Sequence, residues 1–311
     1  MKRLLIDKIL YAAASLFIVM SLTFVLMKTI PGDPFQQEQA LPTAIYQALR
    51  THYGLNDSLS EQYVRYIKQL ALFDFGPSLI YSGRSVSYII LEAFPTSAIL
   101  GAAALILAIP SGILLGILSA IRRNVWQDTL ILLFISIGIS VPSFVMATLL
   151  QYILGIKLSL LPIAQWGGLS HIVMPALSLA ALPTAFIARM TRVKMIEELG
   201  QGYVTTARAK GLSEVTIIFR HVLRNTLIPI ISYVAPLTAS ILTGSFIVEK
   251  IYSIPGLGYW FVTSITNRDY PLIMGITIFY CALLLATSLI ADIISLCVDP
   301  RMKRQRTPMS P

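Results

Sequence analysis

Apolar residues gather along the chain in six windows, near 9 to 28, 96 to 120, 129 to 155, 172 to 192, 227 to 248 and 272 to 297. Each is long enough to cross about 30 Å of hydrocarbon at about 1.5 Å per residue. Two polar stretches stand out between them, one before the second window and one before the fifth. The pattern predicts an all-α polytopic membrane protein with six transmembrane helices. In the first window, Lys2, Arg3 and Lys8 precede an apolar run from Ile9 to Met27. That run is longer than a secretory signal core, and no small-x-small cleavage site precedes Pro31, so an uncleaved membrane helix is expected over 1–28.

Residues 29–95 predict an extracytoplasmic loop with short helices of its own. A helix is expected from Thr43 to Tyr53, with Pro42 near its start and Gly54 ending it in a left-handed turn. Ser58 and Glu61 fit a capping box, after which Tyr63, Tyr66, Ile67 and Leu70 recur at helical spacing. Val86, Ile89, Ile90 and Ala93 form another apolar stripe before Pro95, which predicts a helix lying at the membrane surface.

Composition agrees with the windows. Of 311 residues, 56% are hydrophobic and 13% charged; a soluble domain carries about a quarter charged. The formal net charge of +9 would fit nucleic acid, but the basic residues lie in short segments beside apolar runs. With both termini inside, twice as many Lys and Arg fall on the cytoplasmic side as outside, although the long first loop is external. The positive-inside rule therefore predicts an N-in, C-in topology, and no nucleic-acid partner is expected.

The windows are almost free of charge. Arg189 and Arg192 close the fourth, and Asp292 of the last lies close to Asp299, Pro300 and Arg301. Ion-coupled carriers and voltage sensors need intramembrane ionisable groups, so that mechanism is disfavoured. No His-Glu-x-x-His, Gly-x-Ser-x-Gly or Cys-x-x-Cys occurs, and His52, His171 and His221 fall in separate loops. No lysine follows a glycine, so a P-loop cannot be written and ATP-driven work needs another polypeptide. No catalytic, cofactor-binding or metal site is expected. Cys281 and Cys297, about 24 Å apart along one helix, cannot bond to each other.

In place of charge the windows hold helix-bending and close-packing residues: Pro110, Gly112, Gly116, Gly138, Pro183 and Pro236. Gly112 and Gly116 form a small-xxx-small face. Pro142 with Ser143, and Gly244 with Ser245, free backbone groups that neighbours or pathway water must satisfy; they are candidates for the pathway, with ordinary packing as the alternative.

The most informative polar stretch follows the fourth window. A short helix is predicted from about Tyr203 to Lys210, ended by Gly211 in a left-handed turn. Ser213 is placed to cap the next helix, with Glu214 at its positive end. Val215, Ile218, Phe219 and Val222 give that helix an apolar face opposed by Arg220 and Arg224. On these residues alone the hairpin fits either a docking element or a basic element on anionic lipid.

This stretch resembles the EAA loop of ABC importer permeases, in the form of the dipeptide/oligopeptide/nickel permease family. The resemblance rests on Glu198, Tyr203-Val204, Ala207-Arg208-Ala209-Lys210-Gly211-Leu212, Arg220-His221, Arg224-Asn225 and Ile228-Pro229. It extends in order to Pro31-Gly32-Asp33-Pro34, Tyr53-Gly54-Leu55, Pro142-Ser143-Phe144, Val248-Glu249, the turn Ser253-Ile254-Pro255-Gly256-Leu257-Gly258, Arg268-Asp269-Tyr270-Pro271 and Asp299-Pro300-Arg301.

The resemblance implies a peptide-permease B-type subunit with the type I ABC importer permease fold in a bacterial cytoplasmic (inner) membrane. Its core would run over 96–300, with a coupling loop over about 193–226 and a basic tail over 301–311. The implied partners are a homologous permease subunit in a heterodimer, two ABC ATPase subunits and an extracytoplasmic peptide-binding protein, besides membrane lipid. Gly211 would centre the coupling helix, with Ala207 and Ala209 allowing close approach and Arg208 and Lys210 pairing with acidic groups of the ATPase. Pro255, Gly256 and Gly258 would redirect the chain externally. Nickel or a metal chelate is the alternative cargo, and a standalone channel or secondary carrier is the alternative of a different class.

Overall fold

The computed structural model describes residues 2–29 and 43–298, and these fold as helices joined by turns and irregular segments, without a named strand. The helices are α1 (Lys2–Thr29), α2 (Thr43–His52), α3 (Leu59–Ala71), α4 (Val86–Ile121), α5 (Trp126–Ser140), α6 (Ser143–Leu150), α7 (Leu169–Leu199), α8 (Gly202–Ala209), α9 (Glu214–Thr216), α10 (Leu223–Leu242), α11 (Phe246–Ile251), α12 (Leu257–Asn267) and α13 (Tyr270–Val298). π-Helical turns extend α6 (Gln151–Lys157) and join α9 to α10 (Ile217–Val222). Five of the described helical stretches are long and apolar enough to cross a membrane, and a bent pair brings the number to six when the two are counted as one span. The Pro31 to Pro34 motif and the tail from 299 lie outside the described residues, as do the side chains of Asp292 and Cys297.

The bent pair is the predicted third window. It is not one helix: α5 and α6 meet at 106° across Val141 and Pro142. Val141 takes extended backbone, as a residue before proline prefers. The Val86 stripe also differs from expectation. Pro95 does not end it, and α4 runs 36 residues without interruption. Val86, Ile89, Ile90 and Ala93 are therefore buried instead of lying on a membrane surface.

The described residues form two compact units, one from 2–29, 43–97 and 255–285, the other from 98–254 and 286–298. In the first, the Val86 face of α4 packs on Leu257 of α12 and on Leu272 and Ile276 of α13. A Cβ on Gly275 would come within 2.4 Å of Val86 Cγ1, so that position admits only glycine without a shift. The capping box of α3 forms as expected: Ser58 Oγ accepts from Glu61 N, and the Glu61 side chain accepts from Ser58 N at 3.0 Å. Gly54 takes φ +63 just beyond α2. Phe24 of α1 meets the rings of Tyr63 and Tyr66 at centroid distances of 5.3 and 5.6 Å. Asp269 is buried before α13, where its carboxylate accepts from Ser78 Oγ, Leu79 N and Leu272 N. Burial pushes this carboxyl above its ordinary pKa, while those donors pull the other way.

In the second unit, α4 and α7 cross at glycine. A Cβ on Gly112 would lie 2.8 Å from the Ile187 side chain, and one on Gly116 only 2.4 Å from Thr191 Cβ. The small-xxx-small face is therefore a backbone-to-backbone contact. Gly138 of α5 approaches Ala181 and Ala185 of α7 in the same way. Tyr252 anchors the far end: its hydroxyl donates to Ala147 O at 3.0 Å, and its carbonyl accepts from Gln165 N at 2.7 Å.

Candidate functional site

The stretch after α7 folds as a hairpin of short helices. Glu197 and Glu198 carbonyls close the end of α7 through Gly200 N. After Gln201 the chain enters α8, which ends at Lys210 and turns through Gly211 at φ +79. Gly211 N donates to Arg208 O at 2.9 Å and Leu212 N to Ala207 O at 3.3 Å, so the turn satisfies carbonyls that the helix end leaves open. Nothing stands within 4 Å of a Cβ built on Gly211; backbone conformation alone calls for glycine here. Ser213 caps α9, its Oγ accepting from Thr216 N at 3.3 Å.

Side chains hold the two arms together. Tyr203 Oη donates to Glu198 Oε2 at 2.6 Å, and Asn225 Nδ2 donates to the same oxygen at 3.1 Å. Glu198 thereby ties the end of α7 to α8 and to α10. Partial burial and the Glu198 contact push the Tyr203 phenol up to about 12, so it stays a donor. Arg208 reaches across the corner to Glu214 with bonds of 2.6 and 3.1 Å, which lower the Glu214 pKa. Both are exposed, and such a pair adds little stability.

The hairpin packs on its own unit by an apolar face different from the one expected. Val204 and Ala207 of α8 join Ile217, Ile218 and Val222 in a core with Ile117, Ala120 and Met195. Val215 and Phe219 are instead 67% and 57% exposed. The π-helical turn over Ile217–Val222 is the reason, since it adds a residue per turn and moves the buried face off the regular i, i+3, i+4 stripe. Ala207 also faces inward, leaving Ala209, Lys210, Gly211 and Leu212 exposed at the corner with Arg208. The corner thus presents a mixed surface in which Leu212, Val215 and Phe219 supply the apolar area.

Below the hairpin lies a polar hub that the sequence reading missed. Arg192 of α7 donates from Nε and Nη2 to Asp128 at 2.9 and 2.8 Å. Asp128 also accepts from Ser119 Oγ at 2.5 Å and from Asn124 N at 3.1 Å. One carboxylate therefore joins α4, α5 and α7. Arg192 was legible as a charge at a window's end, but nothing local marks Asp128 as its partner.

The other candidates are dispersed. Pro142 and Ser143 lie at the α5–α6 bend. Gly244, at φ +93, and Ser245, which caps α11 by accepting from Val248 N, form the break after α10. Pro255, Gly256 and Gly258 open α12, an 11-residue helix where only a turn was expected. Leu257 N donates to Ser97 Oγ at 2.8 Å, fixing that start.

Residues 112–304 match the family model for the binding-protein-dependent transport system inner membrane component. Residues 1–100 match the N-terminal model for the membrane component of such systems. The chain is 45% identical to the dipeptide transport system permease protein DppB of Bacillus subtilis, covering 97% of this chain and 98% of that one. It is 40% identical to the oligopeptide transport system permease protein OppB of Salmonella typhimurium, covering 97% and 100%. An inward-facing structure of the MetNI methionine ABC transporter aligns with TM-score 0.54 at 15% identity, over 68% of this chain and 97% of that one. An amino acid ABC transporter structure aligns with TM-score 0.52 at 17% identity, over 67% and 93%. The fold is that of type I ABC importer permeases, and the chain belongs to the family of binding-protein-dependent transport system inner membrane components.

Proposed function

We propose that this chain is a non-catalytic permease subunit that passes di- or oligopeptides inward, with energy supplied by ATPase subunits that grip the hairpin around Gly211. The names of the two full-length relatives support the cargo. The carrying observation for the mechanism is the rigid corner itself. Its tip is exposed at Arg208, Ala209, Lys210, Gly211 and Leu212, while Val204 and Ala207 root it in the bundle core. A push on such a tip moves α7 and α10 as a body instead of being absorbed by a loose loop. Glu198 and Tyr203 stiffen the base of the lever. The break at Pro142 and Ser143 and the one at Gly244 and Ser245 are the pathway candidates, and the Pro255 to Gly258 turn faces the side from which an external peptide-binding protein delivers cargo. In this reading a homologous permease completes the pathway as a heterodimer with two ATPase subunits.

The test is uptake of a labelled dipeptide by membranes in which this chain is assembled with its ATPase and binding-protein partners. Uptake should need ATP and both partners. Transport by the purified chain alone would return the reading to a channel or carrier, and uptake of nickel in preference to peptide would replace the cargo.

A further inference from the structure

The corner between α4 and α5 carries a charged surface that the coupling scheme does not use. Arg122, Arg123, Asn124, Val125 and Trp126 form it, and all five are exposed. It lies on the cytoplasmic side beside the root of the hairpin, because the bonds from Arg192 to Asp128 tie the first turn of α5 to the last turns of α7. Neither Arg122 nor Arg123 makes an ion pair among the described residues. The nearest carboxylate along the chain, Asp128, is already matched by Arg192, Ser119 Oγ and Asn124 N. The corner therefore keeps two positive charges with no counterion of its own.

The surroundings of these charges decide what they bind. Arg122 N donates to Leu118 O at 3.0 Å, so Arg122 continues the last turn of α4 above Leu118 and Leu114, which stand four and eight residues back on the same side. Both leucines are exposed. In α5, Trp126, Leu130, Leu133 and Ile137 recur at i, i+4, i+7 and i+11, and all four are exposed, Trp126 at 66%. Arg122 and Trp126 thus each head an apolar stripe that runs into the membrane on its own helix. A cytoplasmic protein or a free phosphate would match the arginines and have no use for the stripes. A phospholipid matches all three features, with its phosphate at the arginines, an ester or phosphate oxygen at Trp126 Nε1–H, and its acyl chains along the leucines. We infer that the α4–α5 corner is a binding site for an anionic phospholipid of the inner leaflet, its headgroup held by Arg122 and Arg123 and its interfacial part by Trp126.

Native mass spectrometry of the assembled transporter tests this, with phosphatidylglycerol, phosphatidylcholine or inorganic phosphate added to the micelles. Phosphatidylglycerol should be retained in preference to phosphatidylcholine. Replacing both arginines, Arg122→Gln with Arg123→Gln, should weaken that retention about thirtyfold. Trp126→Phe, which keeps a ring but removes the N–H, should weaken it about fivefold. Arg122→Lys with Arg123→Lys keeps the charge and should retain the lipid, which separates lost binding from lost folding. Lys2→Gln with Arg3→Gln removes the same charge from another cytoplasmic segment and should change retention less than about twofold, since its charges lie outside the site. Equal losses in the two glutamine pairs would overturn the site and leave only a general attraction of basic segments to an anionic leaflet. Equal retention of the two lipids would overturn it too, as would saturation by inorganic phosphate alone or loss of an ATPase or permease partner from the complex when both arginines are replaced.

Discussion

Arg192 and Asp128, 64 positions apart, meet through two parallel hydrogen bonds of 2.9 and 2.8 Å at the base of the hairpin. Asp128 is 4% exposed at its side chain and Arg192 19%, so the pair is shielded on one side and partly wet on the other. Ser119 and Asn124 occupy further acceptor positions of the carboxylate, which satisfies it without water. The pair sits seven residues before the end of α7, where a push on the hairpin enters the bundle.

Asp128→Asn leaves Arg192 half-buried beside a neutral amide. Breaking a buried pair from one side costs about 3 to 5 kcal/mol. Because Arg192 keeps some contact with solvent, the expected loss is toward the lower end of that range. Replacing both residues together, Asp128→Leu with Arg192→Met, should cost less than either single change, since no charge is left without a partner. Thermal unfolding of the purified transporter for the three variants checks this. A double variant less stable than Asp128→Asn would mean that the pair is net stabilising beyond its own desolvation.

Gly211→Ala tests the corner by conformation alone. The added methyl meets nothing within 4 Å, but φ +79 disfavours every L side chain by about 1 kcal/mol. Asparagine tolerates the left-handed region better, so Gly211→Asn should lose less than Gly211→Ala. If the hairpin is the ATPase contact, peptide uptake should fall in the order glycine, asparagine, alanine while the membrane bundle keeps its unfolding temperature. A full-rate Gly211→Trp variant would remove the corner from the mechanism.

What could be read from sequence divides along the range of the interaction. Caps and turns were legible, because Ser58 with Glu61, Gly54, Gly211 and Ser213 each act within a few residues. Membrane windows were legible because burial in lipid needs only a run of apolar residues. Some misreadings involve a partner distant in sequence, and others a local backbone geometry that residue spacing does not encode. The Val86 stripe looked like a surface helix because Leu257 and Leu272, which cover it, come far later in the chain. Regular helical spacing puts Val215 and Phe219 on the buried face of the second arm, and the π-helical turn moves them off it. Val141 and Pro142 signalled freed backbone but not a 106° bend. The corner residues of the candidate site were found largely through their family resemblance; Asp128 belonged to no motif and was missed.

The Arg208 and Glu214 bridge gives a pH dependence with a defined sign. Its hydrogen bonds from Arg208 hold the Glu214 pKa below its ordinary 4.5. A carboxylate depressed on folding stabilises the folded form above its ordinary pKa and loses that contribution as pH falls through the depressed value. The corner should therefore be pH-independent near neutrality and loosen only in acid below pH 4.5. Amide hydrogen exchange at Leu212 to Val215, corrected for intrinsic rates, reads this directly. Glu214→Gln should abolish the acid-dependent change, and high salt should shrink it because both groups are exposed. A transition centred near neutrality would point to a different titrating group.

The α4–α7 contact holds the hairpin's root. At Gly116 a Cβ would sit 2.4 Å from Thr191 Cβ and 2.6 Å from Ala188 O, and the carbonyl belongs to backbone that cannot rotate away. Gly116→Ala must push α7 off α4. Overpacking of this kind costs about 1 to 3 kcal/mol, and Gly116→Val should exceed it. Thr191 anchors its own hydroxyl to Ile187 O at 2.7 Å, so its side chain is not free to swing aside. Gly202 offers a control, since no atom lies within 4 Å of a Cβ there and its φ is not in the left-handed region. Gly202→Ala should leave both unfolding temperature and uptake near wild type. Gly116→Ala should lower the unfolding temperature, and, because α7 carries the hairpin, should lower uptake more than it lowers ATP hydrolysis by the assembled partners. Parallel losses in the two activities would show that the contact serves assembly alone and carries no stroke.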